Sequence, residues 1–297
     1  MPQARRRRRK ARRYSPAFTL ILALGLVLIT TIGLSRCSDA GDPTDPVSES
    51  SSGPAATQTA PSTEDTASTE ATLPTDAEGI VRAYAEANGL SFADYPESLV
   101  ALLGVNPETE TFVLEYPFAK DLEYTIDLSA LKDSQEVPLL MQWDQRWGYL
   151  RYGSDVAGLT ACGPTCLSMV AIYLTNNTDY TPAYMIQYAL ENNYYVDGSG
   201  TSWTLFSKGA VDLGLNVEEL PLVQSIIVSH LEAGEPVVCS MGPGSFTTQG
   251  HYIVLVGVED GKFRVNDPNS RANSETLWEY ADIESQIRNL WAISAAN

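Results

Sequence analysis

Three residues in this chain have the types and the order needed for covalent catalysis: Cys162, His251 and Asp267. Cys162 stands in Ala161-Cys162-Gly163-Pro164-Thr165, where a loop meets a helical pattern. Leu167, Val170, Ala171 and Leu174 follow at i, i+3, i+4 and i+7, which predicts a helix with one apolar face. Pro164 suits the first turn, where its missing N–H would have had no partner. A thiol there looks into free backbone N–H groups and the positive end of the helix dipole, a setting for a sulfur nucleophile. Such a nucleophile needs a base, and the base needs a group to orient it.

The chain has only two histidines. His230 lies in an amphipathic helical stretch and reads as a surface residue. His251 precedes Tyr252-Ile253-Val254-Leu255-Val256, an apolar, β-branched strand pattern, and Gly250 before it leaves room for a close neighbour. Glu259-Asp260-Gly261-Lys262 is a hairpin turn signal, and the return strand Phe263–Asn266 runs into Asp267-Pro268. Folding the hairpin brings Asp267 close to His251. A carboxylate there can hold one imidazole nitrogen and leave the other for the thiol. The expected roles are Cys162 as nucleophile, His251 as general base and acid, and Asp267 as orienting group.

Cys162-Gly163-Pro164-Thr165, Gly250-His251-Tyr252-Ile253-Val254 and Val265-Asn266-Asp267-Pro268 together resemble the double-glycine (bacteriocin-processing) peptidase-like family of papain-like cysteine peptidases. Val137–Trp147 resembles that family's opening motif, and Gly200-Thr201-Ser202-Trp203 its middle helix. The resemblance covers residues 137–297. It implies an α+β papain-like fold, with helices packed on an antiparallel sheet, and thiol hydrolysis of a peptide or amide bond. It also carries the three roles onto Cys162, His251 and Asp267. For the oxyanion donor it suggests Gln142, helped by the Cys162 backbone N–H, although Gln142 lies far upstream of the cysteine for a papain-like enzyme. Substrate-binding residues are left open, and neither a metal nor another cofactor is expected.

The remaining residues read as support. Cys166 sits one turn from Cys162 and reads as packing, and the two make no convincing metal pair. Cys239 reads as a buried strand residue, with a Cys166–Cys239 bridge open outside the cell. Thr181–Leu190 and Trp203–Leu213 read as helices, with Trp203 in the core rather than on a substrate groove. Met241–Gly250 reads as a glycine-rich rim of the cleft.

The first residues of the chain set the location. Arg5–Arg9, Lys10, Arg12 and Arg13 form a basic block directly before the apolar run Phe18–Leu34. At about 17 residues that run is at the short end of what spans a bilayer. We read residues 1–16 as a cytoplasmic tail and 17–35 as a transmembrane signal-anchor, with the rest outside the cytoplasm. Secretion after cleavage near Ala40 is the alternative, and Arg36 directly before Cys37 argues against a lipoprotein site. Residues 36–78 are rich in Ser, Thr, Pro and acids, a composition that cannot repay ordering and suits a tether. Residues 79–136 form a small prefix: a helix over Ile80–Asn88, a second over Tyr95–Gly104, a helical turn or strand at Phe112–Pro117, and a strand at Tyr124–Leu128. The prefix is expected to pack on the catalytic part, or to cover the cleft as a pro-segment does.

Residues 1–36 hold nine of the 19 basic residues and no acid, so the remainder sets ten basic residues against all 37 acids. That balance fits a soluble surface and tolerance of a cationic substrate, and it excludes nucleic acid as a partner. The expectation is a membrane-tethered extracytoplasmic cysteine peptidase acting on a peptide or protein. The rivals are a cell-wall peptidoglycan amidase or endopeptidase with the same triad and a non-catalytic peptide-binding module. Oligomeric state is not readable.

Overall fold

The structure is a computed structural model that describes residues 76–296. The basic tail, the signal-anchor and nearly all of the linker therefore lie outside the described residues. Among those residues, no helix is long and apolar enough to cross a membrane.

A six-stranded antiparallel sheet organises the catalytic part. Its strands are β1 (Leu215–Glu219), β2 (Val237–Met241), β3 (His251–Glu259), β4 (Lys262–Asn266), β5 (Leu277–Trp278) and β6 (Ile287–Ala295). They lie in the order β1-β6-β2-β3-β4-β5. Tyr252 and Val254 of β3 join the core on one face, and Ile253 and Leu255 join the core on the other. Both faces are covered, which explains why β3 reads as an unbroken apolar run rather than an alternating one. Asp260 and Gly261 turn the β3–β4 hairpin with φ of 51° and 80°, the left-handed pair of a two-residue turn. The hairpin register pairs Val254 with Asn266, which puts Asp267 one residue further along, beside the start of β3.

The helix Cys162–Thr175 packs on one face of the sheet, and Gln224–Glu232 on the other. The first departs from its predicted pattern: every residue from Gly163 to Ile172 is buried, not one stripe. It runs between the sheet and the helix Pro182–Glu191, so all its sides meet protein. Gly163 is required at its start, because a Cβ there would lie 2.6 Å from Thr201 Cγ2. Gly250 differs, since a Cβ there meets nothing within 4 Å, so the close neighbour expected at that glycine is absent. Cys166 and Cys239 are both free and buried, so they form no bridge.

The prefix is helical throughout its ordered elements: Ala77–Ala87, Glu97–Val105, Glu110–Leu114 and Tyr116–Ala119. The first of these starts within the stretch read as linker, because Asp76 caps it by accepting from the Gly79 N–H at 2.8 Å. Phe112–Pro117 resolves as helix. Tyr124–Leu128 forms no strand despite its alternation, because no neighbouring strand pairs with it. The prefix shares one apolar cluster with the catalytic part, in which Val81, Leu99 and Phe112 meet Met141, Trp143, Tyr149 and Val156. Phe112 stacks on Tyr149 with ring centroids 4.5 Å apart. It also lies where a Cβ on Gly148 or Gly158 would come within 2.7 or 2.5 Å of its ring. Two glycines of the catalytic part thus leave the space that a prefix side chain fills. Phe112→Ala is expected to cost about 3–5 kcal/mol, read as a lowered urea midpoint.

Candidate active site

The cleft holding Cys162 is built from three segments. Pro164 and the buried helix behind it hold Cys162 half-buried at the helix start. Among the described residues, the Cys162 and Gly163 N–H groups have no acceptor, as befits the first turn of a helix. β3 starts with His251, and the loop after β4 carries Asp267. A cleft of about 380 Å³ brings together Cys162, His251, Thr201, Trp203, Ser240 and Gln249, and no Asp, Glu, Lys or Arg lines it. The acidity of the chain is therefore not focused on the walls of this cleft. Gln249 and Gly250 form part of the wall, as expected of the glycine-rich loop.

His251 and Asp267 form a buried pair. His251 Nε2 lies 2.7 Å from Asp267 Oδ1, with the two residues 8% and 1% exposed. Nδ1 is then the nitrogen left for Cys162, which lines the same cleft. Burial by itself would lower the imidazole's pKa. The charge and hydrogen bond of Asp267, with the thiol's contribution, outweigh burial and raise it to about 10. Burial likewise works to raise the Asp267 carboxyl, but His251, the Asn273 side chain and the Asn269 N–H hold it below the usual carboxylate range. Asn273 Nδ2 donates to Asp267 Oδ2 at 2.7 Å and the Asn269 N–H to Oδ1 at 2.8 Å. With His251 the carboxylate thus accepts three hydrogen bonds.

Two pH windows of stability follow. His251 is raised above its unfolded value of 6.5, so its contribution is complete below about pH 6.5 and is lost as pH rises to about 10. Asp267 is depressed, so its contribution is present above the unfolded carboxylate value and is lost on acidification. A urea-midpoint series against pH should fall on both sides, and a double His251→Ala, Asp267→Ala variant should flatten both limbs.

Gln142 is placed differently from the three. Its side chain is buried, Nε2 donates to the Gly158 carbonyl at 2.8 Å, and Oε1 has no partner among the described residues. It does not line the cleft. His230 is part-buried rather than on the surface, with Nδ1 2.6 Å from Glu235 Oε2, and plays no part in the cleft. Trp203 corrects the core expectation. It is 47% exposed on the cleft wall, where Nε1 donates to Ser240 Oγ at 3.0 Å and the ring packs edge-on against Trp291. Burial pushes the Cys166 thiol far up, which leaves it inert beside Cys162. Among the described residues, no three His, Cys, Asp or Glu side chains gather as a metal-ligand set.

Asn273, Asn269 and Ser240 had no part in the sequence reading. The Asn269 contact was accessible in principle, since an Asp that accepts from the N–H two residues on is a common turn habit. Nothing in the spacing points to Asn273 or Ser240.

A buried helix opening on a cysteine, with a histidine and aspartate presented by adjacent strands of an antiparallel sheet, is a papain-like layout. A family model described as the Peptidase_C39 like family matches residues 134–296, more than half of the chain. The chain belongs to that family. Two solved structures are similar to it. The peptidase domain of Streptococcus ComA, a bifunctional ABC transporter involved in a quorum-sensing pathway, is 19% identical with a TM-score of 0.36, over 46% of this chain and 92% of that one. A putative C39-like peptidase from Bacillus anthracis is 16% identical with a TM-score of 0.32, over 59% of this chain and 100% of that one. No curated protein matches this chain.

Proposed function

We propose that this chain is a membrane-tethered extracytoplasmic cysteine peptidase that hydrolyses peptide bonds through Cys162, His251 and Asp267. The observation that carries this reading is the buried His251–Asp267 pair at 2.7 Å, with the half-exposed Cys162 thiol in the same cleft. Membership of a C39-like peptidase family supports it.

In the first half-reaction Cys162 Sγ attacks the substrate carbonyl carbon with its proton already held at His251 Nδ1, in the imidazolium that a pKa of about 10 maintains at neutral pH. The carbonyl π electrons move to oxygen, where the free Cys162 N–H is a donor. Gln142, expected as a second donor, is not assigned that role, because its side chain is buried and does not line the cleft. The oxyanion collapses, the C–N bond breaks, and His251 returns the proton to the leaving amine. A thioester to Cys162 remains. Water then attacks it, giving its proton to His251, and the C–S bond breaks to release the acid. Asp267 holds Nε2–H throughout, so Nδ1 alone exchanges protons with the reacting groups.

The membrane attachment rests on the apolar run Phe18–Leu34 and on the basic residues before it. Labelling of Cys162 in intact cells by a membrane-impermeant thiol reagent tests that placement.

The activity is tested by incubating the full chain with a peptide panel and with purified cell-wall sacculi, analysed by mass spectrometry. Peptide cleavage is the expected result. Release of wall fragments alone would assign a cell-wall amidase instead. Inertness towards both, with a Cys162 no more reactive than a free thiol, would leave a binding module.

A further inference from the structure

The family match begins at residue 134, yet the segment before it is bonded to the loop that carries Asp267. Asn106 Nδ2 donates to the Asn269 carbonyl at 2.6 Å. Glu108 Oε1 accepts from Ser270 Oγ at 3.0 Å and the Ala272 N–H at 3.2 Å, and Oε2 accepts from the Arg271 N–H at 2.9 Å. The Arg271 guanidinium lies 3.7 Å from the same carboxylate and over the Trp143 ring. Asn106 is fixed in turn, since its N–H donates to Leu102 and its Oδ1 accepts from the Glu108 N–H.

The residues gripped are those next to the ones that hold Asp267. Asn269 donates its N–H to Oδ1, and Asn273 its side-chain amide to Oδ2. Ser270 Oγ, held by Glu108, also accepts from the Asn273 N–H at 3.1 Å and so caps the short helix that presents Asn273. The carboxylate is thereby turned to leave Oδ1 facing His251 Nε2. No residue of 76–136 lines the cleft, so the prefix does not cover it as a pro-segment would.

We propose that the prefix is a built-in positioning element, in which Asn106 and Glu108 clamp the 267–273 loop and so hold Asp267 against His251. The inference rests on the proposed triad but is read independently of hydrolysis. The groups that titrate or carry charge against His251 are Asp267 and Cys162, so the His251 titration reports whether the carboxylate is in place.

The test uses the full chain and three variants: Glu108→Ala, Asn106→Ala and the conservative Glu108→Gln, whose amide oxygen still accepts. His251 is titrated by NMR on its ring protons, thermal stability is followed in parallel, and kcat and KM are measured on any cleaved peptide. Glu108→Ala is expected to lower the His251 pKa from its high value by about one pH unit or more. It should also lower kcat by about ten- to hundredfold at little-changed KM, with Glu108→Gln recovering part of both. An unchanged His251 titration in Glu108→Ala and Asn106→Ala, whatever their stability, would overturn the clamp and leave the prefix a packing element. Absence of peptide cleavage by the wild type would count against the peptidase alone, because the titration still decides the clamp.

Discussion

Cys162→Ala abolishes hydrolysis, with an expected loss of roughly 10⁴–10⁶-fold in kcat. The size follows from chemistry that no neighbour can take over. Among the described residues the chain has three thiols, of which Cys166 and Cys239 are fully buried and only Cys162 reaches the cleft. Cys166 lies one turn behind it with its sulfur turned to the Tyr252 carbonyl, 3.3 Å away. Removing the Cys162 sulfur leaves His251 paired with Asp267 and the cleft intact, so folding should be little affected while turnover is lost. Cys166→Ala should do the reverse, costing stability through a cavity in the core and sparing the chemistry. Hydrolysis surviving in Cys162→Ala would mean that the nucleophile is elsewhere or that water is attacked directly.

Asp267→Ala and Asp267→Asn should differ, and the difference separates the charge of Asp267 from its geometry. Alanine removes the acceptor for one buried donor, His251 Nε2, and for two part-buried ones, the Asn269 N–H and Asn273 Nδ2. Each orphaned group costs about 1–3 kcal/mol, and the imidazole loses its orientation. A fall of roughly 10²–10⁴-fold in kcat is expected, the usual worth of a positioned acid–base group. Asparagine keeps an oxygen where Oδ1 stands, so His251 retains Nε2–H and presents Nδ1 to the thiol, and Asn273 can turn its amide to meet the new NH₂. The loss in kcat should be smaller than in the alanine variant. The negative charge that opposes burial is gone, however, so the His251 pKa falls from about 10. A pH–rate profile that depends on the imidazolium should therefore lose activity at lower pH in Asp267→Asn than in wild type. An alkaline limb that stays in place would show that Asp267 does not set the charge state of His251.

The parts of the site that were legible are those built from local sequence. Cys162 at a helix start, His251 at a strand start and the Asp260-Gly261 turn all announce themselves within a few residues, and the turn places Asp267 by counting. The resemblance of the surrounding motifs to C39-like peptidases added the assembly of these pieces into one fold. What escaped depends on contacts distant in sequence. The helix after Cys162 reads as amphipathic because four apolar residues fall on one stripe, but polar Thr165 and Ser168 are buried too, satisfied by the Ala161 and Tyr180 carbonyls. Tyr124–Leu128 has the period of a strand and no partner, and period alone cannot supply one. Trp203 reads as a core tryptophan, whereas its indole N–H is bonded to Ser240 from the open cleft wall. The grip of Glu108 on the Asp267 loop spans more than 160 residues, and no local pattern encodes it.

The most direct measurement is the rate at which Cys162 in the full chain is carboxamidomethylated at neutral pH, with the modified residue mapped by mass spectrometry and glutathione as reference. An imidazole in the same cleft as the thiol and held by Asp267 predicts that Cys162 reacts faster than the free thiol, that Cys166 and Cys239 stay unmodified, and that His251→Ala slows the reaction. A Cys162 that reacts no faster than glutathione, or at the same rate in His251→Ala, would contradict the triad.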